Sequence, residues 1–284
     1  LLSLYPFFHF GHLRFFGVLT RIALCYVAAA SLYVFVCKPV VLVSVIAIIL
    51  LAYCGMLYAL PVPDAGWPGK DFPFLDADKN MAAWLDRQFS AWCRAWLHTG
   101  VLYEKTWDPE GLLSTLPALG TTLSGVLTGQ LFRRPDILPA RRPALLMVAG
   151  LLSVVLGLLW ALVFPLNKSL WTSSFTLFTT GAALCCLSVC DFLFDLRMVQ
   201  KNSSVMCSVA TFFRIFGTNA VFAFLFSGFV AKTLLALPSP VKEGASFQAR
   251  LSFVLRAGYH STPPTSFLFS LFFLLLVFVS LFDY

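Results

Sequence analysis

Residues 39–60 read PVVLVSVIAIILLAYCGMLYAL, a run with no charged side chain. A hydrocarbon core ~30 Å thick is crossed by about 20 helical residues. The run therefore has the length and composition of one membrane span. Working outward from it, residues 15–37 form a similar segment interrupted by Arg21, and residues 112–132, 143–164 and 170–190 form three more. Residues 205–233, carrying Arg214, and 265–282 complete a set of about seven. Such runs are too long for strands and lack the two-residue alternation of a membrane barrel. The expected fold is an all-α, polytopic membrane bundle occupying residues 1–284 as one membrane domain.

The composition agrees. Of 284 residues, 59% are hydrophobic, 12% are charged and thirty are Phe. The mean hydropathy is +0.85. A water-soluble enzyme needs a polar shell that this chain cannot supply, and a disordered chain would not be so apolar. The net charge of +7 is scattered between apolar runs, which suits topology signals better than nucleic-acid binding. The eight cysteines lie mostly within those runs and read as small packing hydrophobes, with no metal site expected.

Short loops set the expected orientation. Arg133, Arg134, Arg141 and Arg142 crowd the connection after the third segment, and Arg197 and Lys201 that after the fifth. The positive-inside rule puts both in the cytoplasm. The N-terminus is then expected outside and the C-terminus inside, with residues 61–111 a lumenal or exoplasmic loop. Within it, residues 80–97 read as an amphipathic helix. Trp84, Leu85, Gln88, Trp92 and Trp96 share one stripe, with Asp86, Arg87 and Arg94 off it. Tryptophans so placed favour the bilayer interface.

Few residues carry chemistry. Charges at bilayer depth are costly, ~2.5–3.5 kcal/mol on insertion scales, so Arg21 and Arg214 are functional candidates. Arg14, at the end of its segment, can equally snorkel to the headgroups. A guanidinium stays protonated and presents a fork suited to phosphates or to a paired acid. Asp108-Pro109-Glu110-Gly111 has the composition of a helix start, and its two acids also suit acid–base work. Asn167-Lys168-Ser169-Leu170-Trp171 reads as a polar turn with an interface anchor. Asn219 is an amide at bilayer depth, expected to bond between helices. His9, His12, His98 and His260 form no metal or serine–acid constellation, and no glycine-rich phosphate loop occurs.

Four stretches are familiar together: HLRFFGVLTRIALCY (12–26), TWDPEGLLSTLPALGTTLSGVLTG (106–129), PLNKSLW (165–171) and FGTNA (216–220). In order and spacing they resemble the heparan-α-glucosaminide N-acetyltransferase family and its bacterial relatives. The resemblance implies an integral membrane enzyme that passes acetyl from cytoplasmic acetyl-CoA to a terminal amino sugar on the lumenal or exoplasmic side. It places Arg14, Arg21 and Lys168 as candidates for CoA contact. Asp108, Glu110, Asn167, Trp171 and Asn219 stand at further motif positions. It implies a lysosomal membrane in a eukaryote or the cytoplasmic membrane in a bacterium, with a homodimer as one possible assembly. No metal is implied.

The chain departs from the family in two ways. The family's His-x-x-Trp-x-Gly histidine, usually proposed as catalytic, has no counterpart, so the sequence is expected to begin several helices into the fold. Phe15-Phe16 and Thr20 also stand where the family favours Ile-Pro and Gln. In the family setting, a neutral histidine would deprotonate the sugar amine for direct attack, or carry the acetyl itself. Two alternatives compete with the enzyme: a transporter or flippase for an anionic solute, with Arg21 and Arg214 on its path, and an inactive family fragment.

Overall fold

The computed structural model describes residues 11, 13–36 and 38–196, together with 210–211, 213–215, 217–226 and 229. The expected span 265–282, much of 205–233, and His9, His12 and His260 lie outside these residues. The chain divides into two compact units, Gly11–Ser208 and Leu1–Phe10 with Val209–Tyr284. In the second unit the described residues are helical apart from a turn at Asn219, and Phe222 stacks on Phe226.

The first unit is helical, and its described residues hold no strand beyond two isolated bridges in the loop after the second helix. Helix α1 (Val18–Phe35) starts three residues later than its apolar run. Residues 13–17 are not helical, and Leu13 is pinned to the stretch that follows residue 98: Leu13 N donates to Thr99 Oγ1, and Val101 N donates to Leu13 O. Helix α2 (Pro39–Ala59) opens on a proline, which sacrifices no helical hydrogen bond there. Helix α3 (Met81–Leu97) is capped by Asn80, whose side chain accepts from Ala83 N. Helix α4 spans Thr115–Arg133. A 3₁₀ turn (Pro139–Arg141) leads into α5 (Arg142–Ala161), and α6 (Ser173–Cys190) runs on as a π-helical turn to Leu196.

Four of these helices are long and apolar enough to cross a membrane: α1, α2, α5 with its leading turn, and α6 with its trailing turn. The third expected span differs. It begins at Thr115 because Asp108–Ser114 is occupied by turns. Helix α4 has the length of a span, but threonines, serines, glycines and Gln130 dilute its apolar character. It is the central helix, packed by α1, α2 and α6. The lipid-like surface lies elsewhere, on residues such as Ile22, Val27, Ile48, Leu152, Leu156 and Leu159, all more than half exposed.

Two apolar clusters join the helices. Ala29, Leu42, Ile46, Leu50 and Leu123 tie α1 and α2 to α4, and Tyr53, Leu57, Ala82, Leu113, Phe164 and Leu170 tie α2 to α3 and the loops. Two buried hydroxyls lock α2 to the start of α6: Tyr53 donates to Leu170 O (2.5 Å), and Ser173 to Leu50 O (2.7 Å). Helices α5 and α6 meet along a glycine seam. A Cβ on Gly150 would come 2.9 Å from Gly181 O, and one on Gly157 2.7 Å from Phe178 N. Small residues permit this approach, as in other membrane helix pairs.

Candidate functional site

The starts of α1, α4 and α6 meet at one end of the unit, together with the turns that precede them. Arg14 lies ahead of α1. Its guanidinium forks onto Asp108, with Nε donating to Oδ2 (2.7 Å) and Nη2 to Oδ1 (2.5 Å), and Nη2 also reaches Glu110. Its ring-facing side lies 4.9 Å from the Tyr103 ring centre. Burial works against this charge, but Asp108 and Glu110 outweigh it and hold the guanidinium more firmly protonated than usual.

Asp108 is sealed, with no exposed side-chain surface. Besides Arg14 it accepts from Tyr103 N and Glu110 N, so both oxygens are bonded. The motif does not cap the helix as expected: α4 begins at Thr115 behind Ser114, with no side-chain cap, and Asp108 shapes the turn upstream of it. Glu110 keeps 19% of its side-chain surface, and is the more accessible of the two acids.

Arg21 sits one turn inside α1 and is buried. It contacts no carboxylate in the described structure: Nη2 donates to Pro109 O (2.6 Å) and to Ser114 Oγ (2.5 Å), while its buried Nε has no hydrogen-bond partner. Its charge rests 5.3 Å from the centre of the Trp171 ring, a cation–π contact.

The 165–172 turn delivers that ring. Asn167 Oδ1 accepts from Ser169 N and Leu170 N, and Asn167 N donates to Thr172 Oγ1. Asn167 thus shapes the turn and stays out of the centre. Trp171 has φ +52°, a left-handed conformation unusual for a bulky residue. That conformation aims its ring at Arg21, with Nε1 donating to Thr121 Oγ1 (3.3 Å) and an edge contact to Phe175. Lys168 is exposed on the same turn, and the structure gives it no contact with the centre. Asn219 belongs to the other unit, where its side chain donates to Ile215 O and Thr218 Oγ1 of its own helix instead of bridging to another.

Trp171 also closes one end of a cavity of about 410 Å³ between α4 and α6. Its wall is mostly apolar: Phe175 and Leu187 line it, and Ser124, Thr128 and Thr179 turn their hydroxyls back to carbonyls of their own helices. One ring therefore touches the buried cation on one side and the cavity on the other.

The sequence reading missed Asp86. It lies off the aromatic stripe of α3, on a small-residue face (Ala82, Ala83, Ser90, Cys93) that is buried, while Trp92 and Trp96 point outward. Asp86 is 1% exposed and supports the Asp108 turn from beneath, accepting from Asp108 N (3.3 Å) and Leu112 N (3.0 Å). Burial pushes its carboxyl up to about 7, although both backbone bonds act to lower it. The available signal was its four-residue spacing from Ala82 and Ser90, which puts an acid on the helix's small face.

The chain matches no protein-family model and no curated protein.

Proposed function

We propose that this chain carries the arginine centre of a multi-pass membrane acetyltransferase, which moves acetyl from cytoplasmic acetyl-CoA to the amino group of a terminal glucosamine-type sugar across the membrane. The supporting observation is convergence. Arg14 meets Asp108 across 94 residues, Arg21 meets Pro109 across 88, and Trp171 comes in from a third stretch. These are three of the four sequence stretches on which the family resemblance rests.

The chemistry sought is acyl transfer. The amine nitrogen forms a bond to the acetyl carbonyl, the thioester C–S bond breaks, the thiolate leaves with CoA, and a base takes the amine proton. Asp108 cannot serve as that base while its oxygens hold Arg14 and two backbone N–H groups. Glu110 is the acid at the centre with remaining access, and the resemblance assigns the role to a histidine of a motif this sequence lacks.

In this reading seven helices cross the bilayer, with the N-terminus outside and the C-terminus in the cytoplasm. The membrane is lysosomal in a eukaryote and the cytoplasmic membrane in a bacterium. Helix α4 runs ~28 Å at ~1.5 Å per residue, separating the arginine centre from the loop bearing Arg133, Arg134, Arg141 and Arg142. If that loop is cytoplasmic, the centre stands at the outer mouth. Arg21, which touches no carboxylate among the described residues, then meets an anionic group of whichever substrate reaches that mouth.

Acetyl-CoA-dependent N-acetylation of glucosamine in proteoliposomes tests the reading. Transfer that disappears in the Arg14→Ala, Arg21→Ala double variant supports it; undiminished transfer in that variant defeats the arginine assignment. The buried cation beside a cavity also suits an anion transporter. Flux of a labelled anionic solute through the same vesicles without acetylation would favour that reading instead.

A further inference from the structure

The Asp108–Leu112 turn carries both acids of the centre and the carbonyl that Arg21 grips, yet it is only loosely held by its own backbone. Gly111 N donates to Asp108 O, and Glu110 N to Asp108 Oδ1. From outside the turn, the Ser114 and Thr115 hydroxyls and Arg21 hold its carbonyls, while Asp86 accepts the N–H groups at both of its ends. The fit is close: a Cβ on Gly111 would come 2.5 Å from Asp86 Cγ. We propose that Asp86 is a positioning residue for the arginine centre, fixing the turn in the register that brings Asp108 and Glu110 to Arg14, and Pro109 O to Arg21. The proposal rests on the acetyltransferase reading only for its activity readout.

Charge makes the arrangement conditional. Asp86 feels Asp108 from the turn, Arg21 from α1 and Tyr53 from α2. Asp108 opposes a second negative charge, and Arg21 favours it. An ionised carboxylate accepts both N–H bonds, whereas the protonated acid turns a hydroxyl toward one donor and weakens that bond. With its carboxyl at about 7, against an ordinary 3.8, the hold is firm above pH 7 and loosens below it. Stability runs the opposite way. The folded state keeps the proton across the window from 3.8 to about 7, so this group's contribution is fully present below 3.8 and is lost as pH rises through 7. Asp86 therefore holds the turn best where it stabilises the fold least, which distinguishes positioning from plain support.

Hydrogen exchange on the full chain in lipid nanodiscs tests this, corrected for intrinsic exchange. In the wild type, protection of the Asp108 and Leu112 amides should fall about tenfold between about pH 8 and about pH 5.5, the weight of one hydrogen bond. Asp86→Asn, which can accept one bond but not both, should show the low value at both pH values. Gly111→Ala, which crowds the carboxylate aside, should do the same and serves if Asp86→Asn fails to fold. Equal protection in wild type and variants overturns the proposal. In the acetylation assay, wild-type turnover should lose activity below pH 7, and Asp86→Asn should flatten that limb while leaving KM for acetyl-CoA within about twofold. An acid limb identical in wild type and Asp86→Asn also overturns it. Absence of acetylation by the wild type at every pH would defeat the acetyltransferase reading, while the exchange measurements would still decide the role of Asp86.

Discussion

Arg14 and Arg21 lie on adjoining stretches, serve the same turn, and are treated in opposite ways. Arg14 faces two carboxylates and keeps 23% of its side-chain surface. Arg21 is 8% exposed and, among the described residues, touches a carbonyl, a hydroxyl and an aromatic face but no carboxylate. The first is a neutralised clamp and the second a buried charge held by dipoles. Burying that charge is costly, and Glu110 and Asp108 offset the cost only from beyond contact distance. Of the two, Arg21 is the better candidate for ligand contact and Arg14 for holding the turn.

This contrast can be broken experimentally. The largest effect should come from Arg21→Lys. An ammonium keeps the charge but not the fork that reaches Pro109 O, Ser114 Oγ and the Trp171 face together. Acetylation should fall at least a hundredfold with thermal stability nearly unchanged; activity within tenfold of wild type would make Arg21 a structural residue. Asp108→Asn should act on stability instead. It removes one carboxylate from Arg14 and weakens the seal on Tyr103 N and Glu110 N, for a loss of ~2–4 kcal/mol read by denaturant or thermal melts in detergent. An unchanged melt would mean that the clamp carries no weight.

Trp171→Leu should be intermediate, losing the cation–π contact and the bond to Thr121, with a roughly tenfold rise in KM. Thr121→Val isolates the smaller part, about 1 kcal/mol for one hydrogen bond. Lys168→Ala should be the mildest, within about threefold of wild type, because the side chain is exposed on its turn. A large loss there would redirect the search for an anion contact toward that turn.

The helices were legible in the sequence because apolar runs of about twenty residues have one common use. Their ends were less so. The 112–114 stretch is apolar enough to read as span, but Asp108 folds the preceding residues into a turn locally and Asp86 holds that turn from a distance, the second effect leaving no local trace. The intermediate character of α4 was visible as threonine and glycine, and only its central position explains it. At the site, Arg14, Arg21, Asp108 and Trp171 were found by motif, and the structure brings them together. Lys168 and Asn167 occupy the turn without reaching the centre, since a motif records residues but not the direction of their side chains. Asp86 was passed over because the tryptophans beside it dominate the helical pattern, although the face that docks is the small one beneath them.

The glycine seam between α5 and α6 has a mechanical consequence. Backbones in such close contact slide or separate only together, so the two helices move as one lever. The bend between them is held to α2 through Tyr53 and Ser173 and to α4 through Trp171, so this lever is anchored at the end where the ring covers Arg21.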